Sequence, residues 1–400
     1  MCKFNSQEFV DKQVAEIRRT VGRNRALIAV SGGVDSSTCA VLTHRALGEN
    51  LLCVMLDDAF MRKGEPERVR DLLAQPPINL PLRILGVQER FLKALKGLRD
   101  AEEKRKAFRE TFYKTLSETA KKEGCRFLVQ GTIKADIVET VGGIKTQHNV
   151  LSQVGISPTE FYGFQVVEPL VTLYKGQVRE VARFLGIPSE ISERQPFPGP
   201  GFSVRIVGEV RADKVESLKE ATALTEKTLV KHQPSQYFAA IIDDAEVEGH
   251  PRRSHIRETA AGFFEIPSER VAVKVFEDRA TGIRGGERHY GQIVAIKAST
   301  AAGFIYQPSM SSLVALQTEI LRENPSFTRV LYAVQEEQAR RPYVIVIRAI
   351  QTDDFLTAEV SDISWTTLKE TARRIFQTCS NISSVYYDVT PKPPATIEME

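Results

Sequence analysis

Cysteine is scarce in this chain: five residues in 400 (Cys2, Cys39, Cys53, Cys125 and Cys379), with no CxxC spacing. Scattered and odd in number, they exclude a disulfide framework and a cysteine-built zinc site, and they point to a reducing, cytoplasmic setting. An excess of one charge is missing too, since 54 Lys and Arg face 51 Asp and Glu for a net charge of +3. So slight an excess gives no basis for a nucleic-acid or anionic-membrane partner. No apolar run reaches the length that crosses a bilayer, and the opening MCKFNSQEFVDKQV has no apolar signal core. Low-complexity tracts are absent, and Pro and Gly gather at a few points instead of in a long linker. What remains is a globular chain of two or three domains with room for sizeable cores.

Val10, Val14 and Ile17, three or four apart, predict an amphipathic helix over residues 9–21. The runs RALIAV, LLCVML, LRIL and RFLVQG predict buried strands, with charge-rich helical segments such as 101–122 between them. That alternation predicts an α/β unit built on a parallel sheet covered on both faces. At RQPFPGPGFSVRIVGEV, three prolines and two glycines fall within six residues, and we put a domain boundary there, between 1–195 and 196–400. The second part holds a weak internal repeat over about 292–335 and 343–390: IVAIKA, SSLVALQTEILREN, RVLYAV and then VIVIRA, SWTTLKETARRIF, SVYYDV. Lys297 matches Arg348, and Tyr332 matches Tyr387. Leu368, Ala372, Ile375 and Phe376 share one helical face. Each copy reads as strand, helix, strand, and neither buries its helix face alone, so the two pack side by side.

The stretch LIAVSGGVDSSTCAVL turns a buried strand into a helix through almost bare backbone. Gly32 and Gly33 let N–H groups approach an anion, and Ser31, Ser36 and Ser37 add hydroxyls. The stretch, Val34 included, opens a helix whose N-terminus adds partial positive charge. The pattern is neither GxxxxGK[ST] nor GxGxxG. Asp35 is a carboxylate in a phosphate site, which calls for a cation between them, Mg²⁺ being the obvious choice.

SGGVDSS resembles the pyrophosphate loop of the ATP pyrophosphatases, which cleave ATP between its α and β phosphates. With FPGPG, LYKGQVRE, IKTQHNV and YDVTPKPPATIE, the chain is similar to the GMP synthetases in their ATP pyrophosphatase and dimerisation parts, from about residue 5 onward apart from the extra repeat copy. The resemblance implies a PP-loop, Rossmann-like domain and an α+β dimerisation-type domain. It also implies a reaction: ATP adenylylates the 2-oxygen of xanthosine monophosphate (XMP), pyrophosphate leaves, and ammonia displaces AMP. Ser31 to Ser37 and Val54 would then bind ATP, while Asp35 and Asp136 would hold Mg²⁺. Lys145, with His148 beside it in a mobile lid, would meet the α phosphate as charge develops. Lys134, Arg288, Lys392, Thr396, Ile397 and Glu398 would bind XMP, and the turn at 196–201 would shape a wall of the cleft or act as a hinge.

Some positions depart from that pattern. GTIKAD puts Lys134 and Ala135 where the family carries an aromatic residue or arginine and a proline, GGERHY puts Gly286 where an aspartate is expected, and Met399 replaces a tryptophan. These leave open a PP-loop enzyme activating another purine-like or nucleoside carbonyl for amination. A tRNA-thiolating enzyme would want a reactive cysteine pair and a basic patch, and neither is visible. No cysteine has a glutaminase context, so ammonia is expected from a separate glutamine amidotransferase subunit or from solution. The doubled unit resembles that of the eukaryotic members, and monomer and homodimer both stay open.

Overall fold

β1 (Arg25–Ala29) lies at the centre of a parallel sheet, with Ala26, Leu27 and Ile28 wholly buried. In the computed structural model, which describes residues 4–141, 163–353 and 356–400, the chain divides into two compact units. One joins Met1–Ala94 to Lys106–Gly199, and the other joins Leu95–Arg105 to Pro200–Glu400.

The first unit adds β2 (Leu51–Asp57), β3 (Leu82–Gly86), β4 (Cys125–Val129) and β5 (Gln165–Val167), in the order β3-β2-β1-β4-β5. Every pairing is parallel. Strands buried on both faces need apolar side chains throughout, which is why these segments read as runs and not as alternations. β5, only three residues long, has too little pattern to be read in advance. The first helix, α1 (Ser6–Val21), starts three residues before the predicted point because Asn5 caps it, its side chain accepting from the Glu8 N–H at 3.2 Å. Val10, Ile17 and Val21 then join α2 (Val34–Leu47) in the core beside β1 and β2.

The second unit is a mixed sheet, seven-stranded among the described residues. It is made of β6 (Gln236–Asp243), β7 (Val271–Arg284), β8 (Glu287–Ala298), β9 (Phe327–Glu336), β10 (Tyr343–Gln351), β11 (Glu359–Val360) and β12 (Ile382–Asp388). The repeat is visible in its bonding. β8 runs parallel to β9 and β10 parallel to β12, with the helices Met310–Glu323 and Trp365–Thr378 as the two crossovers. β9 and β12 pair antiparallel, Tyr332 opposite Tyr387, so the two copies meet about a local two-fold. Ser309 and Ser364 cap the two helices alike, accepting from Ser312 N–H and Thr367 N–H. Tyr332 donates to Tyr306 O at 2.9 Å and Tyr387 to Ser361 O at 2.6 Å, each tying down the loop that leads into its helix. Among the described residues, no helix is long and apolar enough to cross a membrane.

Candidate functional site

Between β1 and α2 the chain folds back on itself through serine hydroxyls. Ser31 N–H donates to Ser36 Oγ at 3.1 Å, the two hydroxyls lie 2.9 Å apart, and Ser36 Oγ donates to Gly33 O at 3.2 Å. Gly33 is the N-cap of α2 and offers no side-chain acceptor, so the first turn's N–H groups are left uncapped within the loop. Gly32 has φ +77°, and a Cβ there would lie 2.7 Å from Val69 Cγ2 and 3.0 Å from Glu65 Oε1. Both belong to α3 (Glu65–Leu73), whose Glu65 is clamped by Arg194 at 2.6 Å. Bare backbone beneath an uncapped helix N-terminus is an anion cradle.

Asp35 stands in the first turn of α2. Lys175 Nζ donates to its Oδ2 at 2.5 Å, while its Oδ1 is buried with no hydrogen-bond partner among the described residues. A buried carboxylate oxygen without a donor fits a divalent cation as its ligand. Asp136 is less free, since its Oδ2 accepts from Ile133 N–H at 2.9 Å. Among the described residues no three His, Cys, Asp or Glu side chains cluster as metal ligands would. The loop after β4 crowds this turn: a Cβ on Gly131 would lie 3.0 Å from the Asp35 carbonyl carbon. Nearby in sequence, Lys134 lies over the Tyr174 ring at 4.8 Å.

In the second unit, residues 389–400 return along β7. Ile283 N–H donates to Pro394 O at 2.7 Å, Thr281 N–H donates to Met399 O at 2.9 Å, and Lys392 exchanges two bonds with Ala358. Gly282 permits the approach, because a Cβ there would sit 2.7 Å from Thr328 Cγ2 and 3.0 Å from Pro394 O. Glu398 is held by both arms of Arg205, at 2.7 and 3.0 Å, and that guanidinium stacks 3.9 Å from the Phe238 ring. Glu400 is wholly enclosed and accepts from Lys104 at 2.5 Å, Tyr290 OH at 2.6 Å and Gly208 N–H at 3.1 Å. Arg329 and Arg348 both reach Asp388 Oδ2, at 2.9 and 2.8 Å, and all three side chains have no exposed surface. Burial and the neighbouring Arg348 push Arg329 down to about 10. Arg288 lies opposite Ile283 on the β7–β8 hairpin, 3.4 Å from Glu102 Oε1; burial, then Arg105, lower its pKa.

The structure gathers Ser31, Gly32, Gly33, Val34, Asp35 and Ser36 into one turn in the first unit. It gathers Lys392, Thr396, Ile397 and Glu398 into one segment in the second. Ser37 and Val54, expected to touch ATP, have no exposed surface: Ser37 sits one residue too far along α2, and Val54 is sealed between β1 and β3. Any part they take is through packing or main chain. Lys134 and Asp136 belong to the first unit and Arg288 to the second. Lys145 and His148 lie outside the described residues. The departure at Gly286 has a local cause. Gly285 and Gly286 have φ +58° and +83° in a two-residue hairpin turn between paired Arg284 and Glu287, and such a turn wants glycine at its second position. Sequence reasoning passed over Lys175, Arg205, Arg329 and Asp388; Arg348 was noticed only as the repeat partner of Lys297.

A five-stranded parallel sheet with this glycine-serine turn at the end of its central strand defines a PP-loop protein. Accordingly, the family model described as the PP-loop domain matches residues 6–189, and that of the GMP synthase C terminal domain matches 333–399. The glutamine-hydrolyzing GMP synthase of Sulfurisphaera tokodaii has a component designated B that is 42% identical over 399 residues, covering 99% of this chain and 100% of its own length. The protein of the same name from Saccharolobus solfataricus is 40% identical over 397 residues, covering 99% of this chain and 100% of its own. That of Methanopyrus kandleri is 38% identical over 404 residues, with the same coverage of both chains. The chain belongs to this family of GMP synthase subunits. The match runs through both repeat copies, so the doubled unit is shared with these relatives.

Proposed function

We propose that this chain is the synthetase half of a two-subunit GMP synthase. It transfers AMP from ATP to the 2-oxygen of XMP with release of pyrophosphate, and ammonia then displaces AMP to give GMP. The observation that carries this reading is the pairing, in one chain matched end to end by GMP synthase relatives, of the Ser31–Ser36 cradle with an acceptor segment ending in the Arg205-held Glu398. The chemistry exchanges a poor oxygen leaving group for a good one, so the protein's work is positioning and charge neutralisation.

In this reading the loop N–H groups and the α2 N-terminus hold the pyrophosphate end of ATP, and Lys175 fixes the rotamer of Asp35. Asp35 and Asp136 are the residues that would hold Mg²⁺, which supplies neutralisation of phosphate charge when bound. Lys145 meets the α phosphate. Lys392 supplies positive charge for the XMP phosphate, Lys134 and Arg288 belong to the XMP-binding set, Thr396 and Ile397 line its site, and Glu398 accepts from the purine ring N–H groups. The relatives are named as one component of a glutamine-hydrolyzing enzyme, which supports a separate amidotransferase subunit as the ammonia source. Among the described residues, four buried free thiols support a reducing compartment, the cytoplasm.

The test is to incubate the chain with ATP, Mg²⁺, XMP and a high concentration of ammonium, with products read by mass spectrometry. GMP, AMP and pyrophosphate in equal amounts are expected. Pyrophosphate release that ignores XMP but follows another purine-like acceptor would replace XMP as the substrate.

A further inference from the structure

We propose that Arg329 and Arg348, bridged by Asp388, are positioning residues that shape the acceptor-nucleotide segment before the ligand arrives. Resting on the functional reading above, this assigns a role to three residues that touch no substrate in it. Arg348 donates to Asp388 at 2.8 Å, Thr390 O at 2.9 Å, Thr396 O at 2.9 Å and Ile397 O at 2.8 Å. Arg329 donates to Asp388 and Thr396 Oγ1, both at 2.9 Å, and also to Glu398 O. Three successive carbonyls, those of Thr396, Ile397 and Glu398, are thus drawn onto guanidinium groups.

The physical driver is charge. Two guanidinium groups share one carboxylate, and none of the three has exposed surface. Among the described residues the excess positive charge is met by neutral oxygens, most of them on the 390–398 segment, and by attraction from the Glu398 carboxylate. Were that segment to leave, buried donors would lose their acceptors, which is costly. The segment is therefore preorganised, and Arg205 completes the arrangement by fixing the Glu398 side chain from the other side.

The first repeat copy gives an internal comparison for Arg348 and Asp388, while Arg329 itself stands on β9 of that copy. It builds the same strand–helix–strand unit with the same helix caps and tyrosine bonds, yet Lys297 stands where Arg348 does. Lys297 pairs with Glu336 at 2.6 Å, with both side chains about a third exposed. Ala333 holds the place of Asp388, one residue past the matched tyrosine. At these two matched positions the first copy keeps its strand–helix–strand unit without a buried arginine–aspartate pair.

The test uses Arg348→Lys, Arg329→Lys and, as the control, Lys297→Met in the full chain, with ammonium as the nitrogen source. Each arginine variant keeps its charge and loses the fork that serves several carbonyls. The KM for XMP is expected to rise about 30-fold, a loss of about 2 kcal/mol, with the KM for ATP unchanged within about two-fold. Amide exchange over 395–399 should quicken, and Lys297→Met should leave both KM values alone. A native KM for XMP in R348K, an equal rise in both KM values, or the same rise in Lys297→Met would each overturn the proposal. Should R348K fail to fold, R329K keeps the Arg348–Asp388 pair and gives the same readout. If the unsubstituted chain makes no product from XMP, it is the functional reading that falls. The clamp is then judged on amide exchange, and unchanged rates in the foldable arginine variants overturn it.

Discussion

Glu398→Gln removes a charge from a pair that is almost closed to solvent. Arg205 is 2% exposed and Glu398 19% exposed at the side chain. Breaking a buried pair by deleting one partner costs about 3–5 kcal/mol, because the other charge is left uncompensated. Glutamine still offers one acceptor oxygen, and the Phe238 ring at 3.9 Å still faces the guanidinium, a cation–π contact of about 1–2 kcal/mol. The net loss should be about 2–3 kcal/mol, which lowers the melting temperature by about 5–10 °C in a domain of this size. The KM for XMP should rise steeply while that for ATP holds. Arg205→Met combined with Glu398→Leu exchanges both charges for apolar groups, and should regain most of the stability without regaining use of XMP. Melting within about 1 °C of the parent for Glu398→Gln, or a double variant no more stable than the single, would refute the claim that the pair is buried and coupled.

Two other outcomes follow from the geometry. Gly32→Ala puts a methyl group 2.7 Å from Val69 Cγ2 at φ +77°, so the KM for ATP should rise more than about ten-fold with that for XMP unchanged. Adding Val69→Ala should recover the part due to the clash but not the part due to φ, and full recovery would show that backbone strain is unimportant. For the thiols, burial pushes Cys53 up to about 12 and Cys379 to about 11, and raises Cys39 further. Burial favours the neutral thiol, so reactivity grows only as pH climbs toward those values. At pH 8 Cys53 therefore stays in the neutral thiol form. Alkylation of native protein at that pH, mapped by peptide mass spectrometry, should spare Cys39, Cys53 and Cys379, and their rapid labelling would contradict the burial described.

What could be read in advance depended on how far apart the interacting residues lie. The cradle was legible because its parts are consecutive: strand, two glycines, serines and helix all lie within one short stretch, and each constrains its neighbours through the backbone. Gly286 was legible only in part. It looked like a missing aspartate, when the two glycines were marking a hairpin turn whose φ values exclude most side chains. Lys175 lay in a quoted motif, yet its partner Asp35 is 140 residues away, and no periodicity connects them.

Local order alone therefore set β1 to β4, the phosphate turn and the doubled unit, since hydrophobic period and turn chemistry act over a few residues. Tertiary contact decided which charges meet. Lys104 closes on Glu400 across 296 positions, Arg205 on Glu398 across 193, and Arg329 and Arg348 converge on Asp388 from separate strands. A charge leaves water only where a partner waits, and which partner waits depends on the folded chain.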